Sequence, residues 1–267
     1  MPTQLLFYRR ITPISAERHA EWRIEGVGDY AFARHVNSVP LMAVETPMAA
    51  REYVIVFVGA DESVMPVALL GVESDRNAYV TATGGWDARY VPAFVRRYPF
   101  VFSRSEDGTQ FTLCIDESWS GCNEDGRGQR LFNDQGERTP YLDNMLSFLQ
   151  EYNTQLRRTE AFCKKLVDLD LLEPMQVQFT LAGGAQHALG GFLAVSRVKL
   201  KALPAEQLST LAQTDELELL YQHLHSLNNF LLLAERSAAR GAEPPPAIET
   251  PETSPEESRE ALTVETA

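Results

Sequence analysis

The sequence predicts an α+β fold, with a mainly antiparallel sheet, a long packed helix and two C-terminal helices. Short β-branched segments follow one another between residues 40 and 120, and turns rather than helices separate them. One long amphipathic segment comes next, followed by a hairpin pattern and two shorter helical patterns. Because the strands do not alternate with crossover helices, we do not expect a doubly wound parallel sheet.

Four segments in the first half of the chain are typical of strands, because they are rich in β-branched and aromatic residues and are bounded by turn residues. Further along, residues 175–198 predict a hairpin about a glycine-rich turn, which extends or flanks the same sheet. The four segments are YVIVFVG (53–59), VMPVALLGV (64–72), AYVTAT (78–83) and QFTLCID (110–116).

The clearest helix pattern begins after Thr139, which suits an N-cap, with Pro140 at the first helical position. Apolar residues then recur every three or four positions, so we expect a helix over residues 140–167 with one face packed on the sheet. The two C-terminal helices are predicted at residues 203–213 and 215–238.

The chain of 267 residues is 44% hydrophobic and 23% charged, which is an ordinary globular composition. We expect residues 1–240 to form a single α+β domain. The remaining residues, 241–267, contain seven glutamates, one arginine and five prolines, a net charge of −6. Low hydrophobicity and high charge cannot offset the entropy of ordering, so we expect these residues to be a disordered acidic tail.

The formal net charge of −13 bears on the partners of the protein. Such a chain is repelled by phosphate backbones, so nucleic acid is not expected as a partner. The apolar runs fall well short of the roughly 20 residues of a membrane helix, so membrane insertion is not expected. The first residues lack the apolar core of a secretory signal, and the three cysteines are an odd number. These features predict a cytoplasmic protein with reduced thiols.

Motifs for metal or phosphate chemistry do not occur in a usable form. Residues 182–191 are glycine-rich but lack the lysine of a phosphate loop, and residues 116–127 place Arg127 where a calcium loop needs a glutamate. We therefore expect 116–127 to be an exposed loop that turns at NEDG. His223 and His225 are two apart on a predicted helix and diverge by about 200°, so they cannot share a metal ion. No metal, cofactor or catalytic residue is predicted.

The most unusual segment is GGWDARYVPAFVRRYPFVF (84–102), in which Arg96 and Arg97 lie among aromatic residues. Pro92 suits the start of a helix, and Pro99 forbids helix beyond the residue before it, so the segment holds at most two helical turns. Neighbours on a helix diverge by about 100°, so one arginine can point outward while the other lies along the rings.

Two interpretations of this segment remain open. In the first, it is a structural corner in which arginines tie loops together, with Asp87 and Asp116 as candidate partners. In the second, an arginine binds an anion or a peptide. The candidate ligand-binding or partner-binding residues are Trp86, Tyr90, Arg96, Arg97 and Tyr98. The side chains expected to be mostly buried are Trp86, Phe94, Tyr98 and Phe100.

A series of segments, in order over about residues 30–235, is similar to one known family, and the block YVPAFVRRYPF (90–100) is specific to it. The other segments are VPL (39–41) with Glu45, YVIVFVG (53–59), ALLGV (68–72), LCIDE (113–117), LFNDQGERTPYL (131–142), LDLLEP (169–174), GGFLAVSRVKLKALPAEQL (190–208) and LELLYQHLHSLNNF (217–230). On these segments the sequence resembles the bacterial SapC family.

The resemblance implies a protein named for a surface-layer gene cluster, with relatives encoded near outer-membrane TonB-dependent receptors. It supplies no reaction, cofactor or catalytic residue. We therefore predict a non-enzymatic cytoplasmic accessory or binding protein, linked to cell-surface or outer-membrane nutrient-uptake systems, with a protein or peptide as its partner. The alternative is an enzyme that acts on a small or peptide substrate through residues 86–98 with Asp116 or Glu117.

Overall fold

The computed structural model describes residues 6–26, 28–104, 111–180 and 186–241. The predicted tail beyond Gly241 and the glycine-rich turn of the hairpin at 181–185 lie outside the described residues. The strands, numbered along the chain, are β1 Ile11–Pro13, β2 Arg23–Ile24, β3 Ser38–Pro40, β4 Val54–Val58, β5 Met65–Leu69, β6 Phe100–Arg104, β7 Phe111–Asp116, β8 Cys122–Asn123, β9 Gln129–Arg130, β10 Leu172–Thr180 and β11 Gln186–Val195. The helices are α1 Ala16–His19, α2 Thr46–Ala49, α3 Ala93–Arg96, α4 Pro140–Asp168, α5 Arg197–Lys201, α6 Ala205–Gln213, α7 Glu216–Ser226 and α8 Phe230–Gly241, with short 3-10 turns at Ala31–Ala33, Ala43–Glu45, Asp61–Ser63 and Leu227–Asn229.

The fold is α+β, and its main sheet has five antiparallel strands in the order β10-β11-β4-β5-β3. Strands β4 and β5 pair along their whole length, from Val54 opposite Leu69 to Val58 opposite Met65. The predicted hairpin is formed by β10 and β11, and it joins the sheet where Leu193 pairs with Phe57. The expectation that the hairpin extends the sheet is therefore confirmed.

The strands between residues 40 and 120 divide over two sheets, which corrects the prediction of one sheet. Strands β6 and β7 pair with the N-terminal strand in a separate sheet of order β1-β7-β6, and a small third sheet has the order β8-β2-β9. Long-range hydrogen bonds accompany this division, because the β7 carboxylate of Asp116 accepts the backbone N–H groups of Arg9 at 2.7 Å and Arg10 at 3.0 Å. These bonds bring β1 to the edge of β7, where Ile11 pairs with Asp116.

The predicted strand at 78–83 is wrong. These residues form turns, with one isolated bridge between Val80 and Trp86. The side-chain carbonyl of Asn77 accepts the Tyr79 N–H at 2.8 Å, and the Thr81 N–H binds the Gly85 carbonyl at 2.8 Å. Local bonds of this kind satisfy the backbone without a ladder, while the apolar side chains remain buried.

Helix α4 begins after Thr139, whose hydroxyl oxygen accepts the Leu142 N–H at 3.4 Å, so the predicted N-cap is confirmed. The first part of its apolar stripe packs in a cluster with Phe100, which belongs to the sheet β1-β7-β6. The last part packs in a second cluster with Phe57 of the main sheet. One long helix therefore connects the two sheets through their cores.

The C-terminal region contains the predicted helix α6, but the predicted helix at 215–238 is interrupted between α7 and α8. At the interruption, the Ser226 hydroxyl accepts the Ile55 N–H at 3.1 Å, and the Asn229 amide donates to the backbone carbonyls of Ala50 and Tyr53. These side chains fix the C-terminal region to the start of β4, and one 3-10 turn replaces the continuous helix there.

Candidate functional site

Helix α3 begins at Ala93, with Pro92 as the residue that precedes the helix rather than its first residue. The buried carboxylate of Glu45 holds this start, since it accepts the Ala93 N–H at 2.7 Å and the Tyr90 hydroxyl at 2.6 Å. The same carboxylate accepts the Met42 N–H at 2.8 Å. A carboxylate at a helix start satisfies an N–H group that otherwise lacks a partner. Sequence reasoning gave Glu45 no such role.

Arg97 is the inner of the two adjacent arginines and is only 6% exposed. Its guanidinium carbon lies 4.0 Å from the centre of the Phe94 ring, 5.0 Å from that of Tyr152 and 5.7 Å from that of Tyr8. Burial raises the pKa of Tyr152 to about 12, and the charge of Arg97 opposes that rise. The cation therefore lies among three rings whose π-faces stabilise it.

Arg96 is the outer arginine and is exposed. Its Nε donates to the Val91 carbonyl at 3.0 Å. Its guanidinium carbon lies 5.2 Å from the centre of the Phe148 ring of α4 and 5.8 Å from that of Tyr90. The guanidinium is thus held at the surface by the bond to the Val91 carbonyl and by the neighbouring rings of Phe148 and Tyr90.

Trp86 and Tyr98 are the first and last of four rings in a row, with Tyr30 and Phe32 between them, and further rings contact both: Tyr79 beside Trp86 and Trp119 beside Tyr98. Ring centres are 5.5 Å apart from Trp86 to Tyr30, 6.3 Å from Tyr30 to Phe32 and 4.1 Å from Phe32 to Tyr98. The indole N–H of Trp86 donates to the Tyr53 hydroxyl at 2.8 Å. Both end residues are partly exposed, whereas Phe94 and Phe100 are fully buried as expected.

The structure gives the two candidate acids other partners. Asp87 receives Arg236 at 2.7 Å and Arg240 at 3.2 Å, both from helix α8. Asp116 is fully buried, and besides two backbone N–H groups of the N-terminal segment it accepts the Ser118 hydroxyl at 2.6 Å. The Tyr98 hydroxyl lies 3.4 Å from the same carboxylate. Burial raises the pKa of Asp116, but these hydrogen bonds outweigh it and leave the pKa below its usual range.

Glu117 is also buried, so the prediction of an exposed loop over 116–127 is wrong at its first two residues. Arg18 donates to its carboxylate at 2.8 Å, Arg10 lies 3.3 Å away, and Nε2 of the buried His19 lies 3.3 Å away. Hydrogen bonds from Arg18 hold the pKa of Glu117 below its usual range. Residues 124–127, at the other end of the predicted loop, are exposed as predicted, but Cys122–Asn123 form strand β8 and are only partly exposed.

The structure therefore divides the five candidate residues. Tyr90 and Arg96 lie together at the surface, Arg97 lies inside, and Trp86 and Tyr98 lie apart at the ends of the row of four rings. Sequence reasoning also missed the cluster around Glu117. A signal for it was present, because three arginines at positions 9, 10 and 18 stand out at the start of an acidic chain.

The SapC family model matches residues 14–233. The chain belongs to the SapC family. The match contains the whole Arg96–Arg97 segment and both buried acids, and it confirms the resemblance that the sequence showed. Comparisons with curated proteins and with solved structures give no match.

Among the described residues, no helix is long and apolar enough to cross a membrane. Within the same ranges, no three side chains of His, Cys, Asp or Glu are grouped so that they could hold a metal ion.

Proposed function

We propose that this member of the SapC family is a non-enzymatic accessory protein of the cytoplasm, which binds a protein or peptide partner of a cell-surface or outer-membrane nutrient-uptake system. The observation that carries the binding proposal is the surface guanidinium of Arg96, held between the rings of Tyr90 and Phe148. The family relationship supports the link to uptake systems.

The chemistry of Arg96 fits a carboxylate of the partner. A guanidinium has five N–H donors in a planar fork, and the bond to the Val91 carbonyl uses Nε. The two terminal nitrogens can then bind both oxygens of one carboxylate. Because the rings restrict the side chain before binding, less conformational entropy is lost when a partner binds.

The net charge of −13 limits how this contact can act. An acidic partner gains no long-range attraction from such a chain, and salt screens charges beyond about 8–10 Å. The proposed contact is therefore a short-range one that provides specificity. Tyr90 and Arg96 make the contact, Arg97 holds the segment from inside, and Trp86 and Tyr98 fix it through hydrogen bonds to Tyr53 and Asp116.

The enzyme alternative assigns the chemistry to Asp116 or Glu117. Each carboxylate already accepts several donors, and each has a pKa below its usual range, which keeps it ionised and bound. A general base with a pKa near the working pH would need a weaker set of partners. These contacts favour anchoring of the N-terminal segment as the role of both acids, and so favour the binding proposal.

Affinity purification with quantitative mass spectrometry tests the binding proposal. The full chain and its Arg96→Gln variant are expressed at native level with the same tag, together with Arg158→Gln, which removes an exposed arginine from α4. We expect one partner to be recovered with the parent and with Arg158→Gln, and to be reduced about tenfold with Arg96→Gln. Equal recovery with all three would contradict the proposal.

Cell fractionation tests the location. We expect the protein in the cytoplasmic fraction. Recovery of the mature protein from the periplasm or the cell surface would contradict that part of the proposal.

A further inference from the structure

A half-open cleft of about 280 Å³ lies between the pair of strands β6 and β7 and one flank of helix α4. It is separate from the Arg96 contact, because Phe148 lies on the opposite flank of α4 from the residues that line the cleft. Its lining includes Phe102, Phe111, Leu146, Gln150, Asn153 and Arg157.

The floor of the cleft is aromatic. In the antiparallel pair, Phe102 is opposite Leu113 and Arg104 is opposite Phe111, so alternation places Phe102 and Phe111 on one face of the sheet. Their ring centres are 5.8 Å apart with tilted planes. Phe111 is 42% exposed, so part of its ring faces solvent at the mouth of the cleft.

The wall of the cleft is a stripe of helix α4. Leu146, Gln150, Asn153 and Arg157 follow one another at spacings of four, three and four, so they share one flank beside the buried stripe. Leu146 continues the apolar floor, and the two amides and the guanidinium follow toward the other end. Among the described residues, the lining of the cleft includes the guanidinium of Arg157 and no carboxylate.

We infer that this cleft binds a small carboxylic acid with a flat apolar body. The two rings and Leu146 suit a flat apolar group, while Arg157 and the amides suit the oxygens of a carboxylate. A cavity of about 150 Å³ holds one benzene ring, so the volume of this cleft suits a ligand of about two rings. Larger ligands would extend into solvent.

A matched pair of probes tests the inference on the full chain. Naphthalene-2-carboxylate has a body of the right size and a carboxylate, and naphthalene-2-carboxamide has the same body without the charge. Binding is measured by calorimetry and by chemical-shift changes in the protein. We expect the carboxylate to bind about tenfold more tightly than the carboxamide, because a charge-assisted bond replaces a neutral one.

Two arginine variants locate the binding. Arg157→Gln removes the cation from the cleft, and we expect it to lower the affinity for the carboxylate to that for the carboxamide. Arg158→Gln removes the same charge from the next position, which is exposed and outside the cleft, and we expect no change. We also expect Arg96→Gln to leave probe binding unchanged. A negative result in this test therefore would not bear on the proposed function, whose test depends on Arg96.

The floor is tested with Phe111→Ala, with the melting temperature measured alongside. We expect both probes to lose affinity by a similar factor, because the ring contacts the body that they share. The inference is overturned if neither probe binds at millimolar concentration, if both bind equally, or if Arg157→Gln behaves like Arg158→Gln. Binding that Phe111→Ala leaves intact would also place the ligand elsewhere and overturn it.

Discussion

The inner and outer sides of helix α3 place the same residue type in opposite surroundings. Arg97 is 6% exposed and lies 4.0 Å from the centre of the Phe94 ring, whereas its neighbour Arg96 is exposed and lies between Phe148 and Tyr90. The divergence of about 100° between adjacent helical residues is enough to produce this difference. One arginine therefore belongs to the core of the fold, and the other is available to a partner.

The comparison shows what a buried cation requires. Arginine stays charged in proteins, so its burial must be compensated by aromatic faces or hydrogen bonds. Three rings do this for Arg97, and each comes from a different part of the chain: Phe94 from α3, Tyr152 from α4 and Tyr8 from the N-terminal segment.

The largest effect is expected from Phe94→Ala. This ring is 1% exposed, packs edge-on against Phe7 at 5.4 Å and forms one face of the Arg97 site. Its removal leaves a cavity and uncovers a buried cation, so the free energy of unfolding should fall by about 3–5 kcal/mol in urea titrations. Tyr221→Ala, at an exposed aromatic position, should cost far less. Equal costs for the two variants would mean that the inner side of α3 is not the core that we describe.

His223 offers a second comparison with Arg97, because both side chains are buried but only the histidine can lose its charge. Burial lowers its pKa to about 4, and its neutral Nε2 accepts the Val195 N–H at 3.0 Å. In the unfolded protein the His223 imidazole binds a proton below about pH 6.5, whereas in the folded protein it stays neutral down to about pH 4. The free energy of unfolding should therefore fall as the pH falls from about 6.5 to about 4. The free energy of unfolding should fall by about 3 kcal/mol in total, and about 2 kcal/mol of this loss should occur between pH 7 and pH 5.

Urea titrations between pH 7 and pH 5 measure this effect, because most carboxylates stay ionised there. His223→Gln keeps an acceptor for the Val195 N–H and should flatten the pH dependence. His225→Gln changes an exposed histidine on the same helix and should leave the dependence as in the parent. If the free energy of unfolding of His223→Gln fell with pH as steeply as that of the parent, the loss of stability would have to come from other groups.

Local signals in the sequence predicted the elements that depend on local chemistry. Thr139 and Pro140 marked the start of α4, and β-branched residues marked β4 and β5. The divergence of Arg96 and Arg97 followed from helix geometry alone. Which of the two lies inside could not be predicted, because it depends on rings that come from other elements.

The burial of Asp116 and Glu117 also escaped sequence reasoning. Asp116 ends a predicted strand and Glu117 follows it just before a turn, and such positions are typical of exposed residues. Their partners are in the first 20 residues, roughly a hundred positions away, and a local pattern does not encode such a pairing. The two-sheet arrangement depends on the same contacts and was missed for the same reason.

Arg97→Ala should have the next largest effect after His223. It removes a buried stem and a cation that contacts three rings, so the free energy of unfolding should fall by about 1–3 kcal/mol. Arg97→Lys keeps the charge but loses the planar group that stacks on the rings. Its free energy of unfolding should therefore lie between those of the parent and Arg97→Ala. Arg97→Met keeps the stem without the charge. If Arg97→Met melted at or above the parent temperature, the rings would not compensate the cost of burying the cation.

The smallest effect on stability is expected from Arg96→Ala. Its side chain is exposed, and its loss removes one hydrogen bond to the Val91 carbonyl and two solvent-screened ring contacts. Such surface contacts contribute little, so the free energy of unfolding should change by less than about 1 kcal/mol. The same variant should nevertheless lose the partner that we propose for the parent. Urea titration and affinity purification on Arg96→Ala and Arg97→Ala together therefore separate the two roles. If Arg96→Ala were the less stable of the two while still binding the partner, the assignment of inner and outer arginines would be reversed.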